Sequence, residues 1–258
     1  MMIISERING LFRSVGRAID ARDGKIIGEL ALKQVEAGAD MLDINIGPGA
    51  ENPPETMKWL VETVQNYVDV PLSIDTPDIN AMAVGIKTAK NKALINSTTA
   101  DAKKMSVLFP LAREHGADVI CLTMDEHGVP RDASERCELA MKMVTAAMDY
   151  GLSSENLFLD PLVLPVSSAQ DHPAKVMESL QMFKMICEPK PKTVVGLSNI
   201  SNGTKNRSLI NRTYLVMLLS HGLDAAILDP SDVELMNSLK TAEVLLNRKL
   251  YCDDYLKA

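Results

Sequence analysis

The chain has 258 residues, 46% apolar and 24% charged, enough for one globular domain with a sizeable core and the usual size of a (β/α)8 barrel. Its formal net charge of −7 argues against nucleic acid or an anionic membrane surface as the main partner, since both are themselves negative. The start meets charge at Glu6 and Arg7, too early for a secretory signal, and no later run approaches membrane-spanning length, so the reading is a cytoplasmic protein.

Short β-branched or aliphatic runs recur, each followed by a longer segment with helical spacing, which is the pattern of parallel strands joined by crossover helices. In chain order they are Ile3 to Ile8, Met41 to Ile46, Leu72 to Asp75, Ala93 to Asn96, Val119 to Met124, Leu157 to Val163, Thr193 to Ser198 and Ala225 to Leu228. After Pro53 and Pro54, the residues Met57, Leu60, Val61, Val64 and Val68 share one helical face, and Pro71 ends the connection. A second helix is predicted from about Ser134 to Tyr150, with Gly151 placed to cap it. Glu36 to Asp40, Glu114 to Asp118 and Ser220 to Asp224 each set a glycine just before a strand, so they read as equivalent corners of a repeated unit. Eight alternating units without a Pro- or Ser-rich linker predict a closed (β/α)8 barrel, one domain over residues 1–258, with a doubly wound sheet as the runner-up.

In such a barrel the site lies at the C-terminal strand ends, where the βα loops gather. The runs close as Asp43-Ile-Asn45-Ile-Gly47, Ser73-Ile-Asp75-Thr76, Ile95-Asn96-Ser97-Thr98, Leu159-Asp160-Pro161, Gly196-Leu-Ser198-Asn199 and Leu228-Asp229-Pro230. Any one Asp or Asn there is explained as well by helix capping or a turn. The set is not, because carboxylates lining a mouth carry a desolvation cost unless a ligand or water supplies donors.

These ends hold no lysine for a Schiff base, no Cys and His pair, and no Gly-rich turn into a helix after the last two strands to cradle a phosphate. Carboxylates with amides suit a flat heterocycle bearing several N–H donors, such as a 2-amino-4-oxopyrimidine edge that one carboxylate grips in a bidentate pair. Magnesium on the clustered carboxylates is the competing reading. The scattered Cys121, Cys137, Cys187 and Cys252, like the four dispersed histidines, carry no ligand or disulfide spacing, so no metal is expected from them.

Six segments then stand in order: Glu6-Arg-Ile-Asn-Gly10, Leu42-Asp-Ile-Asn-Ile-Gly-Pro48, Ile95-Asn-Ser-Thr98, Leu159-Asp-Pro161, Gly196-Leu-Ser-Asn199, and Asn206-Arg207 with Leu209-Ile-Asn-Arg212. With these the sequence resembles, over essentially its whole length, the methyltetrahydrofolate:corrinoid protein methyltransferases, a pterin-binding branch of the (β/α)8 barrels of the dihydropteroate synthase-like type. The resemblance implies that the N5 methyl group moves between 5-methyltetrahydrofolate or tetrahydrofolate and the cobalt of a separate corrinoid protein. The direction is left open between acetate-forming pathways and O-demethylation. It implies that Asp75, Asn96 and Asp160 hold the pterin, that Asn199 is the catalytic amide approaching N5, and that Gly196, Ser198, Asn202 and Arg207 line the folate site. Asp43 and Asn45 are secondary candidates, and a homodimer is expected.

No Asp-x-His-x-x-Gly cobalamin-binding segment is present, so the corrinoid must come on a partner. Two departures from the family pattern stand out: Ser5 where Gly is frequent, and Asn202 where Gln is common. Two alternatives use the same barrel. A dihydropteroate synthase-like condensation needs a diphosphate pocket, for which only Lys205, Arg207 and Arg212 lie near. The other is a non-catalytic folate-binding subunit.

Overall fold

The computed structural model describes residues 1–257. Its strands are β1 (Met2–Asn9), β2 (Met41–Asn45), β3 (Leu72–Asp75), β4 (Leu94–Thr99), β5 (Asp118–Leu122), β6 (Leu157–Asp160), β7 (Lys192–Gly196) and β8 (Ala225–Leu228). Each pairs in parallel with its sequence neighbours, and β1 also pairs with β8, so the sheet closes. Closure leaves no strand edge and excludes the open doubly wound sheet.

Helices α1 (Arg13–Asp20) and α2 (Gly24–Glu36) follow β1; α3 (Pro53–Gln65), α4 (Ile79–Thr88), α5 (Ala102–His115) and α6 (Ala133–Asp149) follow the next four strands. The outer ring is completed by α7 (His172–Phe183), α8 (Arg207–Ser220) and α9 (Val233–Leu245). The predicted face of α3 is buried at Met57, Leu60, Val61 and Val64. The helix before Gly151 runs from Ala133, and Gly151 takes φ +77° as its amide returns to the Met148 carbonyl at 2.9 Å. The three matching corners carry Gly38, Gly116 and Gly222 at positive φ, so the repeat read in the sequence is one backbone device used three times.

Four strands end sooner than their apolar runs: β2 by one residue at Asn45, β5 by two at Leu122, and β6 and β7 for reasons visible in their turns. β6 stops at Asp160 because its carboxylate takes the Leu162 amide at 2.7 Å, and Leu162 turns the chain out at φ +62°. β7 stops at Gly196, and Leu197–Ser201 winds into a 3-10 turn. Conversely β4 continues to Thr99, past a register slip between Ile95 and Thr98.

Inside the barrel Ile4, Met41, Leu94, Ile120, Phe158, Val194 and Ala225 pack into an apolar plug. Strand side chains alternate between faces, so the residues two positions further along point the same way. Those residues are Glu6, Asp43, Asn96, Leu122, Asp160, Gly196 and Ile227. A mostly polar layer therefore lies directly on the apolar one, on the side where the βα loops gather.

Candidate active site

Asp43 is the hub of one half of this layer. It is 3% exposed, and its Oδ1 accepts from Ser73 Oγ at 2.6 Å and from Asn96 Nδ2 at 2.9 Å. Burial, and then the charge of Asp75, push its carboxyl well above the ordinary carboxylate range. At the next rung Asn45 Nδ2 donates to Asp75 Oδ2 at 2.6 Å, while Asn45 Oδ1 accepts from the Gly47 amide at 2.7 Å. Asp75 is also pushed up by burial, opposed by the Asn45 hydrogen bond.

Asp160 stands across the mouth, 6% exposed, with burial raising its pKa to about 7 against the opposing bond from the Leu162 amide. Among the described residues no cation offsets the burial of these three carboxyl groups. The layer therefore has acceptors in excess, a state that a ligand rich in N–H donors relieves.

The other half lies where the ends of β7 and β8 meet β1. Here a cavity of about 610 Å³ is lined by Glu6, Asn9, Ser198, Asn199, Asn202 and Arg207, together with their neighbours. Ser198 Oγ donates to Glu6 Oε1 at 2.6 Å. Arg207 Nε reaches Ser201 Oγ at 3.1 Å, and its Nη2 reaches the Ser198 carbonyl at 3.3 Å and Asn202 Oδ1 at 3.1 Å. Asn199 is exposed in this cavity, its carbonyl accepting from the Asn202 amide at 3.2 Å. A Cβ at Gly196 would come within 3.0 Å of Asn199 Nδ2, so the glycine leaves that amide its place.

The residues singled out from the sequence thus fall into two groups on one barrel face. In the first, Asn96 bonds Asp43 and Asn45 bonds Asp75, the two pairs linked by the charge of Asp75 felt at Asp43; Ser198, Asn202 and Arg207 form the second, with Gly196 and Asn199 beside them. Asp160 joins through its place in the inward layer. Glu6 connects the two groups, since it bonds Ser198 and its charge is felt at Asp43.

Sequence reasoning passed over Glu6 and Ser73 as members of the site. The signal was present in the alternation, because Glu6 follows the inward Ile4 by two and Ser73 precedes Asp75 by two. Both departures from the family pattern have partners. Ser5 is fully buried, with its hydroxyl donating to Gln34, and Asn202 is engaged by Arg207. Among the described residues no group of three His, Cys, Asp or Glu side chains is placed to hold a metal ion.

A closed eight-stranded barrel with acceptor-rich carboxyl and amide groups on its inward face at the mouth is the architecture of a pterin-binding enzyme. The chain belongs to that family: residues 17–229 match the family model described as pterin binding enzyme. It is 31% identical, over 100% of this chain and 96% of the relative, to the methylcorrinoid:tetrahydrofolate methyltransferase of Eubacterium limosum, within the branch its motifs resemble.

It is also 26% and 25% identical to the methionine synthases of Mycobacterium leprae and Mycobacterium tuberculosis, covering 93% of this chain but 21% of those proteins. Among solved structures, the 7,8-dihydropteroate synthase of Vibrio fischeri superposes with a TM-score of 0.70 at 16% identity, covering 96% of this chain and 94% of that one. The dihydropteroate synthase of Xanthomonas albilineans in complex with 7,8-dihydropteroate gives 0.63 at 17% identity, covering 87% and 85%. At such identities the likeness concerns the fold.

Proposed function

We propose that this protein is a methyltransferase that moves the N5 methyl group between 5-methyltetrahydrofolate and the cobalt of a corrinoid carried on a separate protein. The observation that carries the reading is the end-to-end match, 100% of this chain against 96% of its relative, with a methyltransferase named for those two substrates. The excess of acceptors at Asp43, Asp75 and Asp160 supports it, because a pterin edge brings the missing donors.

In this reading Asp160, as carboxylate, takes the pterin amino and ring N–H together, while Asn96 and Asp75 complete the ring's hydrogen bonds. Asn45 and Asp43 hold those two side chains in place. The methyl leaves in line as its bonding electron pair stays on N5, and a tertiary amine is a poor leaving group until that nitrogen gains a proton or positive character. Asn199 donates a hydrogen bond that strengthens as N5 becomes basic, an effect of about 3 kcal/mol for one preorganised donor. Positioning of the methyl against cobalt supplies much of the rest.

The reading extends to a single barrel domain over residues 1–258 that works in the cytoplasm as a homodimer. No described helix is long and apolar enough to cross a membrane, and Leu209, Val216 and Met217 leave exposed apolar surface on α8 that a second copy would cover. O-demethylation, with the methyl passing to tetrahydrofolate, is one direction the site serves and transfer to a corrinoid is the other. A diphosphate pocket of the condensing type is disfavoured, because Arg207 is committed to Ser198, Ser201 and Asn202, and Arg212 lies 3.5 Å from Glu234, which leaves Lys205 as the one nearby cation of the three for two phosphates.

The test follows the methyl carbon. With 5-methyltetrahydrofolate carrying a ¹³C methyl group and free cob(I)alamin as surrogate acceptor, the N5-methyl resonance is replaced by a cobalt-bound one only when enzyme is present. Folate binding without that change would make the protein a binding subunit.

A further inference from the structure

The transfer just proposed needs a proton that none of the pterin-holding groups is free to give, and one carboxyl group in the cavity is placed to hold it. We propose that Glu6 is the proton store of this site: through water in the cavity that it shares with Asn199, it supplies the proton N5 gains as its methyl leaves, and recovers it when transfer runs the other way. This inference rests on the methyltransferase reading. The step balances as follows. The methyl carbon leaves N5 and forms a bond to cobalt with cobalt's electron pair. The C–N pair stays on nitrogen, and the carboxyl proton of Glu6 ends on N5. Glu6 is left as a carboxylate that solvent reprotonates.

The other acids are occupied. Asp43 is 3% exposed, and both of its hydrogen bonds, from Ser73 and Asn96, lie within the floor. Asp160 must be ionised to grip the ring, Asp75 accepts from Asn45, Asp229 faces Arg7 at 3.5 Å, and Asp232 caps α9 while accepting from Ser208. Glu6 is the acid that both lines the cavity and bonds the residue next to Asn199, through a neutral hydroxyl rather than a cation.

The charges around Glu6 are mixed. Asp43 from β2 and Asp229 from the end of β8 disfavour a second negative charge there, while Arg7 on its own strand and Arg207 from α8 favour it. Burial is the largest influence and raises the Glu6 pKa, so a proton is retained to higher pH than on an exposed glutamate. Arg7 is paired with Asp229 and lies over the Phe12 ring at 4.8 Å, and Arg207 is bound to Ser201 and Asn202. Neither cation forms an ion pair with Glu6 among the described residues.

Glu6→Gln keeps an acceptor for Ser198 and cannot carry the proton. Single-turnover transfer from 5-methyltetrahydrofolate to a cob(I)amide is expected to fall about 100-fold near neutral pH, the lower margin for loss of a general acid. Folate affinity should stay within about threefold of wild type, and the pH dependence of the transfer step should flatten. Glu6→Asp, which restores a carboxyl group, is expected to recover part of the rate and the pH dependence.

A Gln variant that transfers at the wild-type rate with the wild-type pH profile overturns the inference while leaving the methyltransferase reading intact. So does a Gln variant that loses folate affinity in step with rate and is not improved by Asp. Wild-type enzyme that transfers to no corrinoid overturns the underlying reading, and this inference with it.

Discussion

His172 Nε2 lies 2.8 Å from the carbonyl oxygen of Leu162, the residue whose own amide is bound to Asp160 Oδ1. Its Nδ1 faces Arg136 Nη2 at 3.1 Å, so the consistent tautomer carries its hydrogen on Nε2, accepts from Arg136 and donates to Leu162. Burial holds the imidazole pKa below its usual value, against the opposing Leu162 bond and with help from the nearby Arg136 charge, and a neutral ring is what this chain of bonds requires. Leu162 sits at φ +62°, a left-handed conformation costing a leucine roughly 1 kcal/mol, which the bonds on either side of it must offset. The first helical residue of α7 thus fixes the turn that presents Asp160.

His172→Ala should therefore lower unfolding free energy by about 1–3 kcal/mol, because it strands a half-buried carbonyl and a buried guanidinium. Arg136→Met should cost less, since Nε and Nη1 of this fully buried arginine have no partner to lose. Urea titration of the two variants checks the order. Equal costs would mean that the guanidinium holds the turn as much as the ring does.

Folate affinity should depend on pH through Asp160. Its pKa in the empty site is about 7, and the ring N–H pair requires the carboxylate, so below that pH binding must expel a proton. Affinity is expected to fall by about tenfold per unit as pH drops below 7 and to level off above it. Asp160→Asn should bind at least about tenfold more weakly at pH 8 and lose most of this dependence. Fluorescence titration across pH 5.5–8.5 measures both.

The same group makes a stability prediction of opposite sense. A folded pKa raised from 3.8 to about 7 means that the folded state holds this proton more tightly than the unfolded chain. Its contribution is complete at low pH and is lost as pH rises through about 7. Ligand-free Asp160→Asn, which cannot ionise, should gain in Tm relative to wild type at pH 8 and gain little at pH 4.5. A wild type with the higher Tm at pH 8 would show that the carboxylate is compensated in the empty site.

At the other side of the mouth, Asn199→Ala should slow single-turnover transfer about 100-fold, the usual loss for one preorganised donor, with folate binding within about threefold. A loss of less than about threefold in turnover would remove Asn199 from this role. Gly196→Ala tests the placement of that amide indirectly, since the new methyl would lie 3.0 Å from Nδ2. It should cut transfer with little effect on Tm, because a displacement of this kind harms catalysis more than packing. Stopped-flow traces and thermal melts separate the two effects.

The barrel was legible because its crossovers repeat. Runs of β-branched residues, the helical face from Met57 to Val64 and three glycine corners each carry a periodicity that tertiary structure does not overrule. Strand ends were less so: Val163 and Ser198 continue apolar or neutral runs, and only the Asp160 to Leu162 bond and the turn after Gly196 end them. Single residues at strand ends marked Asp43, Asn45, Asp75, Asn96 and Asp160, yet spacing alone could not say that Asn96 meets Asp43 across 53 residues. Ser73 and Glu6 were hidden because each is an ordinary residue until the inward face of its strand is known. His172, placed at a helix start, gave no hint that it braces a site residue.

The central claim, transfer of a methyl group between folate and a protein-borne corrinoid, is tested most directly by corrinoid absorbance. Mixed with tetrahydrofolate and a methylated corrinoid protein, the enzyme should convert the methylcobamide spectrum to that of the demethylated cofactor, and 5-methyltetrahydrofolate with the reduced corrinoid protein should reverse it. No spectral change with any corrinoid protein in either direction, while folate still binds, would contradict the account.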